Sequence, residues 1–281
     1  MMRVLVTGSA GQLGRALAAT CPPGHELVAF DLPEHDVARL TAIDAICGER
    51  PALVVHAAAM TDVDGCARSP DDAFRVNALG SRNVALACQS LDAEMIAIST
   101  NEVFDGTKGE AYLESDEPGP VNPYGASKLA GERWVASFLT RCYIVRTAWL
   151  YGEGERNFVR KVIARAREDG ELAVVTDEVG SPTYALDLAR ALWRLAQTHV
   201  YGAYHLTNEG ACSRHEFARA ALDLAGLKDL PVHPIRLADF QRASTVPPCT
   251  PLRNFRAAEL GIRLRPWREA LADYLSLHAP V

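Results

Sequence analysis

Three glycines spaced three apart, Gly8, Gly11 and Gly14, stand between a β-branched run at residues 3–7 and a segment whose Leu13, Ala16 and Leu17 recur at helical spacing. This strand, turn and helix in succession constrains the fold more than any other feature of the chain. Glycine permits the tight turn and lets backbone N–H groups approach a pyrophosphate, and the following helix presents its positive end to that anion. A turn that merely connects two elements has the same spelling, so the triplet alone leaves both readings open. Asp31 lies seventeen residues beyond Gly14, at the end of the next β-rich run, where a carboxylate can accept hydroxyls of an adenosine ribose. Together the two features favour a dinucleotide. The Asp31 charge argues against a 2′-phosphate, and the next basic residue, Arg39, is eight positions on.

The alternation continues. Short apolar strands are expected at residues 25–31, 53–57, 95–99 and 142–146, with helices at 40–47, 71–91 and from Pro123 onward, where Asn122 supplies the cap and Pro123 the first position. Strands alternating with helices predict an α/β fold, a doubly wound parallel sheet covered on both faces. Beyond about residue 150 the alternation weakens, although helices are expected at 157–167 and 214–224 and short strands at 172–175 and 204–206. Residues 1–150 are therefore expected to form a dinucleotide-binding domain, to which a stretch near 176–208 returns. Residues 151–281 are expected to form mainly a smaller α/β domain for the substrate.

Charge and cysteine usage narrow the partners. With 29 Lys and Arg against 35 Asp and Glu, the net charge of −6 has the wrong sign for binding nucleic acid. The seven cysteines form no CxxC pair, which fits reduced thiols of a cytoplasmic protein better than a disulfide framework. The apolar run before Gly8 is too short for a secretory signal, and no stretch reaches the length of a membrane span. The eight histidines show no ligand spacing, so no catalytic metal is expected.

Tyr124 and Lys128 are four residues apart, so a helix places phenol and ammonium on one face. A neighbouring ammonium and the positive nicotinamide of an oxidised cofactor stabilise phenolate and lower the pKa, and such a phenol can deliver a proton to a carbonyl oxygen. Thr100 ends the fourth strand, at the sheet edge where open α/β folds bind ligands, and its hydroxyl can reach the same oxygen. Most YxxxK spacings are ordinary surface pairs; the strand-end hydroxyl is what gives this one weight.

Taken in order, TGSAGQLG (7–14), HAAAMTDVD (56–64), NALGSRNV (77–84), ISTNEVFDG (98–106), NPYGASKLAGE (122–132) and RTAWLYG (146–152) resemble the extended short-chain dehydrogenase/reductases. The resemblance covers most of residues 1–185. It is strongest to the dTDP-4-dehydrorhamnose reductase branch, to which GQLG, STxxVFDG and DxxGxPTYAxDLA belong. It implies a Rossmann domain that binds NADPH or NADH and a sugar-nucleotide substrate whose 4-keto group is reduced. Tyr124 would be the proton donor, Lys128 its partner, and Thr100 the hydroxyl that orients the ketone. Gly8, Gly11, Gln12, Leu13 and Gly14 would hold the pyrophosphate, and Asp31, Asp36 and Val37 the adenosine part. Ala58, Ala59 and Met60 would line the centre of the cofactor, supported by Asn77. Asn101 would face the sugar nucleotide and Trp149 would stack on or bracket it, and relatives often form dimers through the helices at 71–91 and 123–138.

Two positions depart from that branch. It usually has Asp-Tyr where this chain has Asn101-Glu102, and near residue 245 it commonly carries an Arg-Pro pair where this chain reads Ser244-Thr245-Val246-Pro247-Pro248. Arg253 and Arg256 are close enough in sequence to replace the lost charge. Two alternatives share the fold: a sugar-nucleotide epimerase or dehydratase, the latter usually having an acidic pair where only Glu102 is acidic here, and a non-catalytic dinucleotide-binding regulatory subunit.

Overall fold

The structure, a computed structural model, describes residues 2–154 and 157–278. Six parallel strands form its centre: β1 (Met2–Thr7), β2 (His25–Phe30), β3 (Leu53–His56), β4 (Glu94–Thr100), β5 (Cys142–Thr147) and an edge strand, Gly202–His205. Their order across the sheet is β2, β1, β3, β4, β5 and then the edge strand. Val4, Leu5, Leu53, Val54 and Val55 are buried, as strands covered on both faces require. Helices Gln12–Ala19 and Ala185–Ala196 cover one face, packing Leu13 and Leu17 with Leu188 and Leu192. Helices Thr41–Glu49 and Gly80–Leu91 cover the other through Ile46, Val84 and Cys88, joined by Val135 of helix Pro123–Phe138. The doubly wound parallel sheet expected from the alternation is thus present, with one strand more than the first 150 residues supply.

Strand order reverses between β1 and β3, so the turns leaving these two strands diverge and open a crevice at their carboxyl ends. The glycine loop follows β1 and residues 57–60 follow β3. A Cβ on Gly8, whose φ is +69°, would stand 2.8 Å from the Ala58 nitrogen, so the two turns touch here only because Gly8 has no side chain.

The helix expected over 71–91 is continuous but not uniform. It runs as Pro70–Ala73, a π-helical stretch Phe74–Leu79, and Gly80–Leu91. The widened turns fall at Asn77, whose side chain is buried and fully used, a common setting for π-turns. The second half builds its own core from helices Phe158–Asp169, Arg214–Leu224 and Trp267–His278 around Tyr151, Phe217 and Tyr274. From it a strap, residues 242–252, crosses back over the carboxyl ends of the sheet. Arg242 and Ser244 bond Asp64, the Thr245 carbonyl accepts from Asn122, and Thr250 accepts from Asn101. Among the described residues, no helix is long and apolar enough to cross a membrane.

Candidate active site

The glycine loop is locked from two sides. The Gly11 N–H donates to the Gly8 carbonyl at 3.0 Å, and a Cβ on Gly14 would collide with the carbonyl of Ser9. Asp31 accepts from the Ala10 N–H through one oxygen and from the Leu32 N–H through the other, both at 2.8 Å. The carboxylate therefore holds the loop. Asp36 accepts from the Ala38 N–H at 2.9 Å. Val37 is buried against Gly80, and its carbonyl accepts from Asn83. Helix Gln12–Ala19 has no side-chain cap on its N-terminal N–H groups.

Asn77 clamps the turn after β3. Its carbonyl accepts from the Met60 N–H at 2.8 Å, and its amide donates to the Met60 carbonyl and to the Ser127 hydroxyl, which donates to the Tyr124 carbonyl. Below it lies a directional chain. The Ala58 N–H donates to Thr7 Oγ1 and Ser81 donates to the Asn77 carbonyl. His56 between them must then accept from Thr7 at Nδ1 and donate to Ser81 from Nε2. Burial, with Lys128 nearby, pushes His56 down to about 3, so the ring stays neutral in that role. Sequence reasoning did not single out His56, Ser81 or Ser127.

Thr100, Tyr124 and Lys128 are brought together. Asn122 caps helix Pro123–Phe138 by accepting from the Gly125 N–H at 2.8 Å, which fixes Tyr124 at the second helical position. Thr100 ends β4, and its hydroxyl stands near the Tyr124 phenol. Burial and the Glu102 carboxylate raise the phenol's pKa and outweigh the lowering by Thr100. Lys128 is 6% exposed and its ammonium meets no acceptor among the described residues. Burial pulls it down to about 8, and the charge of Glu132, one turn further along, opposes that fall. Glu132 is itself gripped by Arg146 through both oxygens, at 3.0 and 2.7 Å, and accepts from Ser99. The i,i+4 spacing from Lys128 was the signal for Glu132.

The substrate side differs from expectation. Asn101 is buried, and both ends of its amide are occupied, Nδ2 by Thr250 at 2.6 Å and Oδ1 by the Thr100 hydroxyl at 3.3 Å, so it braces the site against the strap. Glu102 donates its N–H to Thr100 Oγ1 and accepts from Asn122 at 2.6 Å. Its burial raises the carboxyl, countered by that bond, with Glu178 raising it further and Arg214 and Arg242 lowering it. Trp149 has φ +45°, and the Arg214 guanidinium stands 3.6 Å from its ring centroid, so the face expected to stack on a ligand is already covered. Arg253 and Arg256 do not replace the lost charge. Arg256 donates to the Ala203 carbonyl and lies over Tyr204, and Arg253 is exposed above a groove of about 850 Å³ lined by Thr207, Glu209 and Ile262.

A glycine cradle at the switch point and an unpartnered buried lysine beside a phenol and a hydroxyl define a dinucleotide-dependent oxidoreductase site. The RmlD substrate binding domain family matches residues 2–279, and the chain belongs to that family. It is 37% identical over 277 residues to the spore coat polysaccharide biosynthesis protein SpsK of Bacillus subtilis, covering 98% of this chain and 97% of that one. It is 38% identical to the dTDP-4-dehydrorhamnose reductase of Mycolicibacterium smegmatis, covering 96% of this chain and 84% of the other. Among solved structures, a dTDP-4-dehydrorhamnose reductase from Clostridium acetobutylicum superposes with TM-score 0.94 at 38% identity, covering 98% and 99% of the two chains. The Bacillus anthracis enzyme in complex with NADP gives TM-score 0.94 at 36% identity, with the same coverage.

Proposed function

We propose that this chain reduces the 4-keto group of a dTDP-activated 6-deoxy sugar, converting dTDP-4-dehydro-β-L-rhamnose to dTDP-β-L-rhamnose. The carrying observation is Lys128, a buried side chain whose ammonium has no acceptor among the described residues, one turn from a phenol that stands near the strand-end hydroxyl of Thr100. When bound, NADH or NADPH supplies the hydride. The glycine cradle fits its pyrophosphate, since the turn has no room for a Cβ at Gly8 or Gly14, and Asp31, Asp36 and Val37 border the adenosine position. Lys128 holds the nicotinamide ribose hydroxyls, Thr100 donates to the sugar carbonyl oxygen, and Tyr124 delivers the proton to that oxygen as the alkoxide develops. A phenol whose pKa is raised stays protonated across the neutral range, the form a donor needs.

A regulatory subunit that only binds the dinucleotide gives the costly burial of Lys128 less to do. The relatives' names favour the reductase over the epimerase. In the same reading, residues 1–150 with part of 176–208 form the cofactor domain and the remainder the substrate domain. A homodimer through exposed Phe74 and Trp134 and a cytoplasmic location, in keeping with the free thiols, belong to it as well. The test is loss of NADPH and NADH absorbance with freshly generated dTDP-4-dehydro-β-L-rhamnose. Consumption that requires the sugar nucleotide supports the proposal, and cofactor binding without consumption contradicts it.

A further inference from the structure

A dTDP-sugar brings a diphosphate into the crevice, and that charge needs a cation besides those that serve the cofactor. The part of the strap that crosses the substrate side, residues 243–250, carries none. Arg256 is committed to the Ala203 carbonyl, and Arg253 stands exposed over a different groove, as described above. Arg242 bonds Asp64, and Arg214 bonds Glu178, whose neighbour Val179 pairs with Pro248 and Thr250 of the strap, so the two arginines flank the crevice. Arg242 spends its Nε on Asp64 at 3.2 Å.

Arg214 is built differently. Its Nε donates to one oxygen of Glu178 at 2.9 Å and Nη2 stands 2.8 Å from the same oxygen, while Nη1 has no acceptor among the described residues. The guanidinium lies 3.6 Å from the Trp149 ring centroid and 5.1 Å from that of Phe158. Trp149 itself is held in the left-handed region, and a Cβ on Gly180 would come 2.6 Å from its Cε2. Residues from three separate segments thus fix one guanidinium plane, and its side chain remains 21% exposed. A planar fork held in advance on one edge loses little freedom when an anion meets the other.

The geometry points to Arg214 as the side chain that binds the substrate diphosphate, with Glu178 and Trp149 as the residues that position it. This rests on the sugar-nucleotide reading above. Trp149 then acts on the substrate through the arginine rather than by stacking on a base.

The experiment is calorimetric titration of dTDP, dTMP and thymidine into the protein saturated with NADP⁺. It compares wild type with Arg214→Gln, Arg214→Lys and the double variant Glu178→Gln/Arg214→Gln, which leaves no unpaired buried carboxylate. A charge-assisted bond of ordinary strength predicts that Arg214→Gln and the double variant lose about tenfold or more in dTDP affinity. Thymidine affinity and NADP⁺ affinity stay unchanged. Arg214→Lys retains part of the dTDP affinity, because the charge remains without the fork. Equal dTDP affinity in wild type and the double variant, or parallel losses for dTDP and thymidine, overturns the assignment and leaves Arg214 a brace for Trp149. If wild-type protein binds none of the three ligands, the sugar-nucleotide reading fails, and this inference with it.

Discussion

Replacing Lys128 with methionine should make the protein more stable while removing its activity. Burial holds the Lys128 ammonium at about 8 instead of its ordinary 10.5. A lysine whose folded pKa is depressed binds its proton less tightly folded than unfolded, so its contribution is unfavourable. That cost is full below the folded pKa and fades as pH rises from about 8 toward 10.5. At 1.36 kcal/mol per unit it is about 3 kcal/mol at pH 7. Methionine has nearly the same reach without the charge, so Lys128→Met should gain about that amount, or roughly 5 °C in melting temperature for a chain of this size. Thermal denaturation of cofactor-free wild type and variant at pH 7 and at pH 10 measures it. The advantage should be large at pH 7 and largely gone at pH 10. A variant less stable than wild type at pH 7, or an advantage independent of pH, would refute the claim that the ammonium is buried without a partner.

The other predictions concern its neighbours. Glu102→Gln removes the charge that helps raise the Tyr124 phenol, so the oxidation of dTDP-rhamnose, which needs phenolate, should rise at lower pH than in wild type. A pH profile of the reverse reaction reads this out. Glu132→Gln leaves Arg146, 7% exposed, without its carboxylate and should cost about 3–5 kcal/mol of stability in urea titrations. Asp31→Ser removes the carboxylate proposed above to border the adenosine ribose. Repulsion of about 1–4 kcal/mol between charges 4 Å apart predicts a rise of about tenfold in the NADPH to NADH ratio of kcat/KM.

What the sequence made legible was local. The glycine turn, the Asn122 cap and the one-turn separation of Tyr124 and Lys128 are each written within a few consecutive residues, and the structure has all three. Strand alternation likewise placed the sheet, though the edge strand at Gly202–His205 enters from beyond the region where the alternation is regular. What stayed hidden depends on residues far apart in the chain. Asn101 looked like a substrate ligand until Thr250, 149 positions away, was found on its amide. Trp149 looked like a stacking platform, but a left-handed backbone and an arginine from a distant helix are invisible in its neighbours. The raised pKa of the Tyr124 phenol in the cofactor-free chain stays hidden for a related reason. Spacing reveals the lysine, whereas burial and the Glu102 charge emerge only when β4 and helix Pro123–Phe138 are packed together.

The most direct test of the central claim follows the hydride. With nicotinamide cofactor deuterated at C4 and dTDP-4-dehydro-β-L-rhamnose, mass spectrometry and NMR should find one deuterium at sugar C4 of the product, and Tyr124→Phe should bind the cofactor yet form almost none. Product without deuterium at C4, or full turnover by Tyr124→Phe, would contradict a reductase that takes its proton from Tyr124.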